Sequence, residues 1–258
     1  MTVLSIPQPR LTLEDVAAAA QGAQVALSRA GAQNIARAGD WMAGIIAAGK
    51  PVYGVNTGFG ALADKAIPLD KVSELQLNLI RSHAAGAGEP LKPDEVRAAM
   101  FLRANMLSKG YSGVSRDLVE QMLALLNRGV VPVVPEFGSV GASGDLAPLA
   151  HIALVLVGRG DAWFKGRRMK GAAALRAAGI EPYCLRPKEG LSLINGTEVM
   201  AAIGALAILN AERLSGIADL AGALTCVATK ANPRVFAPDL QRLKPHPGQA
   251  KSAANLYA

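Results

Sequence analysis

The chain has 258 residues, of which 51% are hydrophobic and 4% aromatic, and a formal net charge of +7. That length fits one large domain or two small ones, and a composition rich in Ala, Leu and Gly but poor in aromatics excludes an all-β sandwich and favours close-packed helices. The basic residues are scattered, and their densest run, Lys165-Gly-Arg167-Arg168 with Lys170 beyond, has one aromatic pair (Trp163, Phe164) but no recurring aromatic platform; it reads as a solvated turn, not a nucleic-acid site.

Thr12, followed by Glu14 and Asp15, is an N-cap signal that opens a short helix through the Ala run. A second helix is expected over residues 32–48, stopped by Gly49 and Pro51. The stretch PVYGVNTGFGALADK has three glycines and no helical period, so it reads as a loop. Helical spacing returns over residues 70–83, where Val72, Leu75, Leu79 and Ile80 recur.

Pro93 stands at a first helical turn, and that helix is expected to end near Gly110. Ser115 caps the next, which runs to Asn127-Arg-Gly129. An extended segment at 130–135 leads into GSVGASGD, and residues 145–157 read as a helix closed by Gly158 and Gly160. AWFKGRRM reads as a small hairpin about Gly166. From Thr197 to about Thr229 the pattern is one long Ala-rich helix, broken at Pro233. Its most apolar part, Met200 to Leu209, meets Glu212 and Arg213 too soon for a membrane span and reads as a core helix.

Cys184 and Cys226 form no CxxC, so a reducing cytoplasm is expected. His83, His151 and His246 have no metal-ligand spacing, so no metal is expected. The N-terminus lacks the pattern of a signal peptide.

The stretch GSVGASGDLAP, residues 138–148, admits several readings. No Lys follows Gly144, which removes a phosphate loop. Glycines at 138, 141 and 144 do not match GxGxxG, so no nucleotide is expected. Asp145 stands where a nucleophile elbow needs Gly, and no convincing triad supports a serine hydrolase acting through Ser143. A Gly-rich loop that caps the helix at Asp145 is the plain alternative. The remaining reading is backbone chemistry. The Gly144 nitrogen attacks the Ala142 carbonyl carbon, and loss of two waters, one using the Ser143 hydroxyl, leaves an exocyclic alkene. Gly suits this because no side chain blocks the turn.

GSVGASGDLAPLAHIAL resembles the prosthetic-group segment of the aromatic amino acid ammonia-lyase family, and YGVNTGFG (53–60), SHAAGAGEPL (82–91) and KEGLSLINGTE (188–198) resemble three further family stretches. The likeness runs to HPGQAKSAANL, and its order and spacing are most similar to the histidine-specific members.

The resemblance implies a mainly α, helical ammonia-lyase-like fold with long core helices. It implies one domain over 1–258, with the ring-bearing part at 1–195 and the start of a long-helix core at 196–258. It also implies a 4-methylidene-imidazol-5-one (MIO) formed autocatalytically from Ala142, Ser143 and Gly144. The implied activity is elimination of ammonia from an aromatic amino acid, most simply L-histidine to trans-urocanate.

By the same resemblance Tyr53 is the base that removes a β-proton. A phenol is a weak base near neutral pH, so the site has to stabilise its phenolate. Asn195 hydrogen-bonds the ring and aids its formation; a cap before Thr197 is its other reading. Asp145 orients the precursor loop or caps its own helix. His83, followed by Ala84, contacts the substrate as in histidine-specific members, the alternative being a helix-end histidine satisfied by backbone. Gly60 shapes the substrate loop, together with Gly58. His151 and His246 read as structural.

Family members are about twice this length. Their second half supplies a glutamine, a Tyr-x-x-Arg segment for the substrate carboxylate and a glutamate, none of which has a counterpart here. The implied partners are an amino acid substrate, copies of the chain (a tetramer by resemblance) and a separate C-terminal half, with no nucleic acid or membrane. Slow or absent turnover by the chain alone is expected, with Arg81 and Lys65 the nearest substitutes for the carboxylate clamp. Glu198 departs from the Gln or Ser common after NGT. Tyrosine or phenylalanine as substrate, half of a split enzyme, and a catalytically silent helical assembly protein remain the other readings.

Overall fold

The computed structural model describes residues 3–257 except 50, 61–64, 66, 69–70 and 141–142. The chain is mainly α. Two units are resolved, residues 1–206 and 207–258.

The first unit opens with strand β1 (Val3–Ile6), helix α1 (Leu13–Ala20), strand β2 (Gln24–Leu27) and helix α2 (Arg29–Ala47). β1 and β2 pair in parallel, with Leu4 opposite Val25, a pairing that the short runs VLSI and QVAL did not announce. Thr12 and Asp15 form a reciprocal capping box at α1. α2 starts at Arg29 and not at residue 32, because the Ser28 hydroxyl accepts the Gly31 N–H and caps it.

Next come α3 (Val72–His83), β3 (Ala87–Pro90), α4 (Pro93–Leu107), α5 (Arg116–Arg128), β4 (Val131–Pro132) and β5 (Pro135–Phe137). α4 is the centre of the core: Val96, Ala99, Met100, Phe101, Ala104 and Leu107 are fully buried. A helix buried on all sides has no solvated face for its polar residues, so each needs an internal partner. Arg97 finds the terminal carbonyls of two neighbours, its Nε donating to Ala19 and Ala20 of α1 at 3.2 Å and Nη1 to Leu126 of α5 at 3.0 Å. α5 presents Leu118, Met122, Leu125 and Leu126 to the same core.

The unit continues with α6 (Leu146–Leu156), β6 (Asp161–Phe164), β7 (Arg167–Lys170), α7 (Gly171–Ala177), α8 (Glu189–Ile194) and the first turns of α9 (Glu198–Thr229). β6 and β7 form the expected hairpin, with Trp163 opposite Arg168 and both Lys165 and Gly166 at positive φ. The short helices α7 and α8 did not stand out in the sequence. Each is under three turns, too short to display a period. α8 is fixed by the buried Glu189 carboxylate, which accepts from the Ser115 and Arg186 N–H groups and the Tyr183 hydroxyl. Burial, with Glu189 adding to it, pushes the Tyr183 phenol well above its ordinary range. α3, α6 and α8 pack on one another and frame the site described below.

The second unit holds the remainder of α9, a 3-10 turn (Pro233–Phe236), α10 (Pro238–Gln241) and α11 (Pro247–Tyr257). Asn255 of α11 donates to Asp219 of α9 at 2.7 Å, and Arg234 pairs with Asp239.

The core reading of residues 200–209 is met in part: Ala202 is fully buried, and Ala205 and Leu206 pack against the core. Met200 is 62% and Ile208 52% exposed, and Leu214, Leu220 and Leu224 farther along α9 are exposed too. These side chains are exposed, so an apolar pattern here does not mean burial. By length and composition alone the stretch Glu189–Thr229 is long and apolar enough to cross a membrane, a test that a core helix passes equally.

Candidate active site

The cleft between α3, α8, the loop 51–60 and the start of α6 has a volume of about 680 Å³. Tyr53, Gly60 and His83 line it together with Ser143 and Asn195. Five residues spread over more than half the chain therefore meet in one cavity. Leu75, Leu79, Leu146 and Leu191 supply its apolar wall.

Tyr53 stands on the loop that follows α2. Its side chain is 54% exposed and meets Phe59 edge to face, with ring centroids 6.0 Å apart. His83 is the last residue of α3. Its Nδ1 lies 2.9 Å from the Leu79 carbonyl, which can only accept, so Nδ1 is the donor in this contact and Nε2 is the ring nitrogen that remains for other partners. Tethering to backbone and lining the cleft are thus both true of His83. The following segment is pinned to α6, where His151 Nε2 accepts the Gly86 N–H at 3.1 Å. Burial holds the His151 imidazole below its ordinary pKa. Of the two cations raised as carboxylate clamps, Lys65 lines the cleft, while Arg81 is exposed at the side of α3 beside Asn78.

The turn at 143–145 is fitted to the junction of α8 and α9. Asn195 ends α8, and its Nδ2 is directed at Ser143 Oγ across 3.4 Å. The Asp145 N–H donates to the Gly196 carbonyl at 2.6 Å. Gly144 has φ +96°, and a Cβ there would fall within contact distance of that same carbonyl. Only Gly allows this backbone and this approach. Gly144 and Asp145 are not among the cleft's lining residues, and Ala142 lies outside the described residues.

Asp145 is buried but makes no side-chain cap on α6. Its carboxylate reaches outward, accepting the Ser139 hydroxyl at 2.7 Å and the Met200 N–H at 2.9 Å. The latter is a free N–H in the first turn of α9, so Asp145 caps the long helix from another segment.

One residue the sequence did not single out underlies this junction. Arg103, in the interior of α4, is fully buried and pairs with Glu198 at 2.7 Å. Its Nη2 donates to the Asn195 carbonyl at 2.8 Å and also to the Ser192 carbonyl. Glu198 is accounted for as the partner of this cation. The lone arginine in the apolar run MFLRANML was the available signal. Burial lowers the Arg103 pKa, opposed by the Glu198 charge. Among the described residues no group of three or more His, Cys, Asp or Glu side chains is placed to hold a metal ion.

The sequence model of a family described as aromatic amino acid lyase matches residues 11–258. A histidine ammonia-lyase from Anaeromyxobacter dehalogenans (strain 2CP-C) is 50% identical over 100% of this chain and 52% of its own length. In structure, the histidine ammonia-lyase of Trypanosoma cruzi superposes with a TM-score of 0.92 at 38% identity, covering 99% of this chain and 50% of the other. A phenylalanine aminomutase of Pantoea agglomerans gives 0.91 at 35% identity, over 100% of this chain and 50% of the other. The chain spans about half the length of the curated relatives it matches.

Proposed function

The chain belongs to the aromatic amino acid lyase family, and we propose that it is the electrophile-bearing part of a carbon–nitrogen lyase that releases ammonia from L-histidine to give trans-urocanate. The observation that carries this reading is the meeting of Tyr53, His83, Ser143 and Asn195 in one cleft. The histidine ammonia-lyase names of its relatives support the substrate.

The turn at Ser143–Gly144 fits closure into an MIO ring with Ala142. Gly144 has the positive φ and missing side chain that such a turn requires, and Asn195 faces the hydroxyl to be lost. When formed, the ring would supply an electrophile for the substrate amine that no encoded side chain offers. In this reading Asn195 donates an uncharged hydrogen bond at the ring. Tyr53 takes the β-proton from its position on the solvent-reaching wall of the cleft. His83 presents Nε2 to the polar end of an imidazole substrate. Gly60 leaves room beside it, and Asp145 holds the turn against α9. Lys65 is the cation nearest to hand for the carboxylate, whose full clamp is assigned to a further polypeptide.

Assembly is part of the proposal. The exposed Met200, Ile208, Leu214 and Leu220 support a partner, either copies of this chain or a second-half polypeptide. A cytoplasmic setting is supported by the two free thiols. The test is the intact mass of the purified chain together with urocanate formation from L-histidine, with and without a co-expressed second-half polypeptide. A deficit of two waters, and turnover that depends on the added half, are expected. A chain of unaltered mass that gives no urocanate with any partner would defeat the reading.

A further inference from the structure

We infer that Arg103 is a positioning residue for ring closure, acting through Asn195 and Gly196 on the Ser143–Asp145 turn. The inference rests on the MIO reading above.

The argument starts from what a buried guanidinium requires. Arg103 lies in the interior of α4 without solvent, so its charge is sustained only by fixed partners. Those partners are three points of one short segment: the Ser192 carbonyl, the Asn195 carbonyl and the Glu198 carboxylate. The end of α8 and the start of α9 are thereby held to α4, the most buried helix of the unit. Gly196 lies directly on the ion pair, since a Cβ there would collide with both Arg103 Nη1 and Glu198 Oε2.

Two contacts then carry this placement to the reacting turn. The Gly196 carbonyl accepts the Asp145 N–H at 2.6 Å, and the Asn195 side chain faces Ser143 Oγ at 3.4 Å. Ring closure forms a bond from Gly144 N to the Ala142 carbonyl carbon. The carbonyl oxygen leaves as water with the amide hydrogens of Gly144 and Ser143. Ser143 Oγ leaves as a second water with its own hydrogen and that of Ser143 Cα. Nothing is oxidised or reduced, and no co-reactant is needed, so the rate depends on how well the turn is held. Displacement of reacting groups by about 1 Å costs roughly a hundredfold in rate.

Arg103→Lys keeps a charge but loses the planar fork that serves three acceptors. Glu198→Gln keeps an oxygen for Arg103, whereas Glu198→Asp keeps the charge and withdraws it by one methylene. The full chain and each variant are examined by circular dichroism, by intact mass over time after synthesis, and by hydrogen exchange of the Asp145 amide. Arg103→Lys is expected to keep its helix content, to lose water at least about tenfold more slowly, and to exchange the Asp145 amide at least about tenfold faster. Glu198→Asp is expected to do the same to a smaller degree, and carries the test if Arg103→Lys fails to fold. Glu198→Gln, which leaves the buried guanidinium without its counter-charge, is expected to slow water loss and speed Asp145 exchange as well.

Parental mass loss and parental Asp145 exchange in folded Arg103→Lys or Glu198→Asp would overturn the positioning role while leaving the ring intact. A parent chain with no two-water deficit would overturn the ring reading first, and this inference with it.

Discussion

The Asp145 carboxylate, just ahead of one helix, accepts the backbone N–H of Met200 in the first turn of another, at 2.9 Å and across 55 residues of sequence. The same carboxylate takes the Ser139 hydroxyl with its other oxygen. Asp145→Ala would leave the Met200 N–H of the helix without its cap and release the Ser139 hydroxyl, on an exposed residue, to water. A loss of about 1–3 kcal/mol is expected in urea unfolding, with faster exchange of the Met200 amide. Asp145→Asn, which keeps one oxygen for the Met200 N–H, should recover part of it.

Ser143→Ala removes a single hydroxyl whose contact to Asn195 is long at 3.4 Å. Stability should change by less than about 1 kcal/mol. The two-water mass deficit should vanish, because the alkene has no hydroxyl to come from. Mass spectrometry beside a thermal melt reads both.

The imidazole of His151 has its pKa lowered by burial, and its Nε2 accepts the Gly86 N–H. Folding therefore favours the neutral ring. Its contribution is complete above the ordinary histidine range, near 6.5, and is lost as pH falls through the lower folded value, where protonation replaces an acceptor by a second donor. Stability measured against pH should decline on the acid side of that range. His151→Asn should flatten this part of the profile; an unchanged slope would remove His151 as its cause.

Tyr53→Phe keeps the edge-to-face contact with Phe59 and deletes only the hydroxyl. In the assembly with a second-half polypeptide, urocanate formation should fall by at least about a hundredfold. The melting transition should stay within about 0.5 kcal/mol of the parent, since the side chain is half exposed.

Elements with a strong local signal were legible in the sequence. Thr12, Ser115 and Pro93 mark helix starts because capping and fixed φ are local properties, and α1, α5 and α4 begin there. The hairpin about Gly166 was legible for the same reason. The parallel pairing of β1 with β2 was not, since four-residue strands acquire meaning only from their partner. The roles of Asp145 and Asn195 were half legible. Both look like caps by residue type, but each turns its side chain to another segment. Arg103 was the largest omission, because its significance lies wholly in contacts 89 to 95 residues away. The apolar pattern of α9 gave length and helicity correctly, yet periodicity records what a face can bury, not what is there to bury it.

The separation of Ser143 from Asn195 by 52 residues has a consequence in time. A ribosome emits the Ser143–Gly144 turn well before the segment that holds it, and Arg103 earlier still. Under the maturation proposed here, the nascent chain carries only an ordinary serine and glycine past cellular thiols and amines. The reactive alkene arises when the last-made partner docks, so synthesis order itself delays the electrophile until a pocket exists to enclose it.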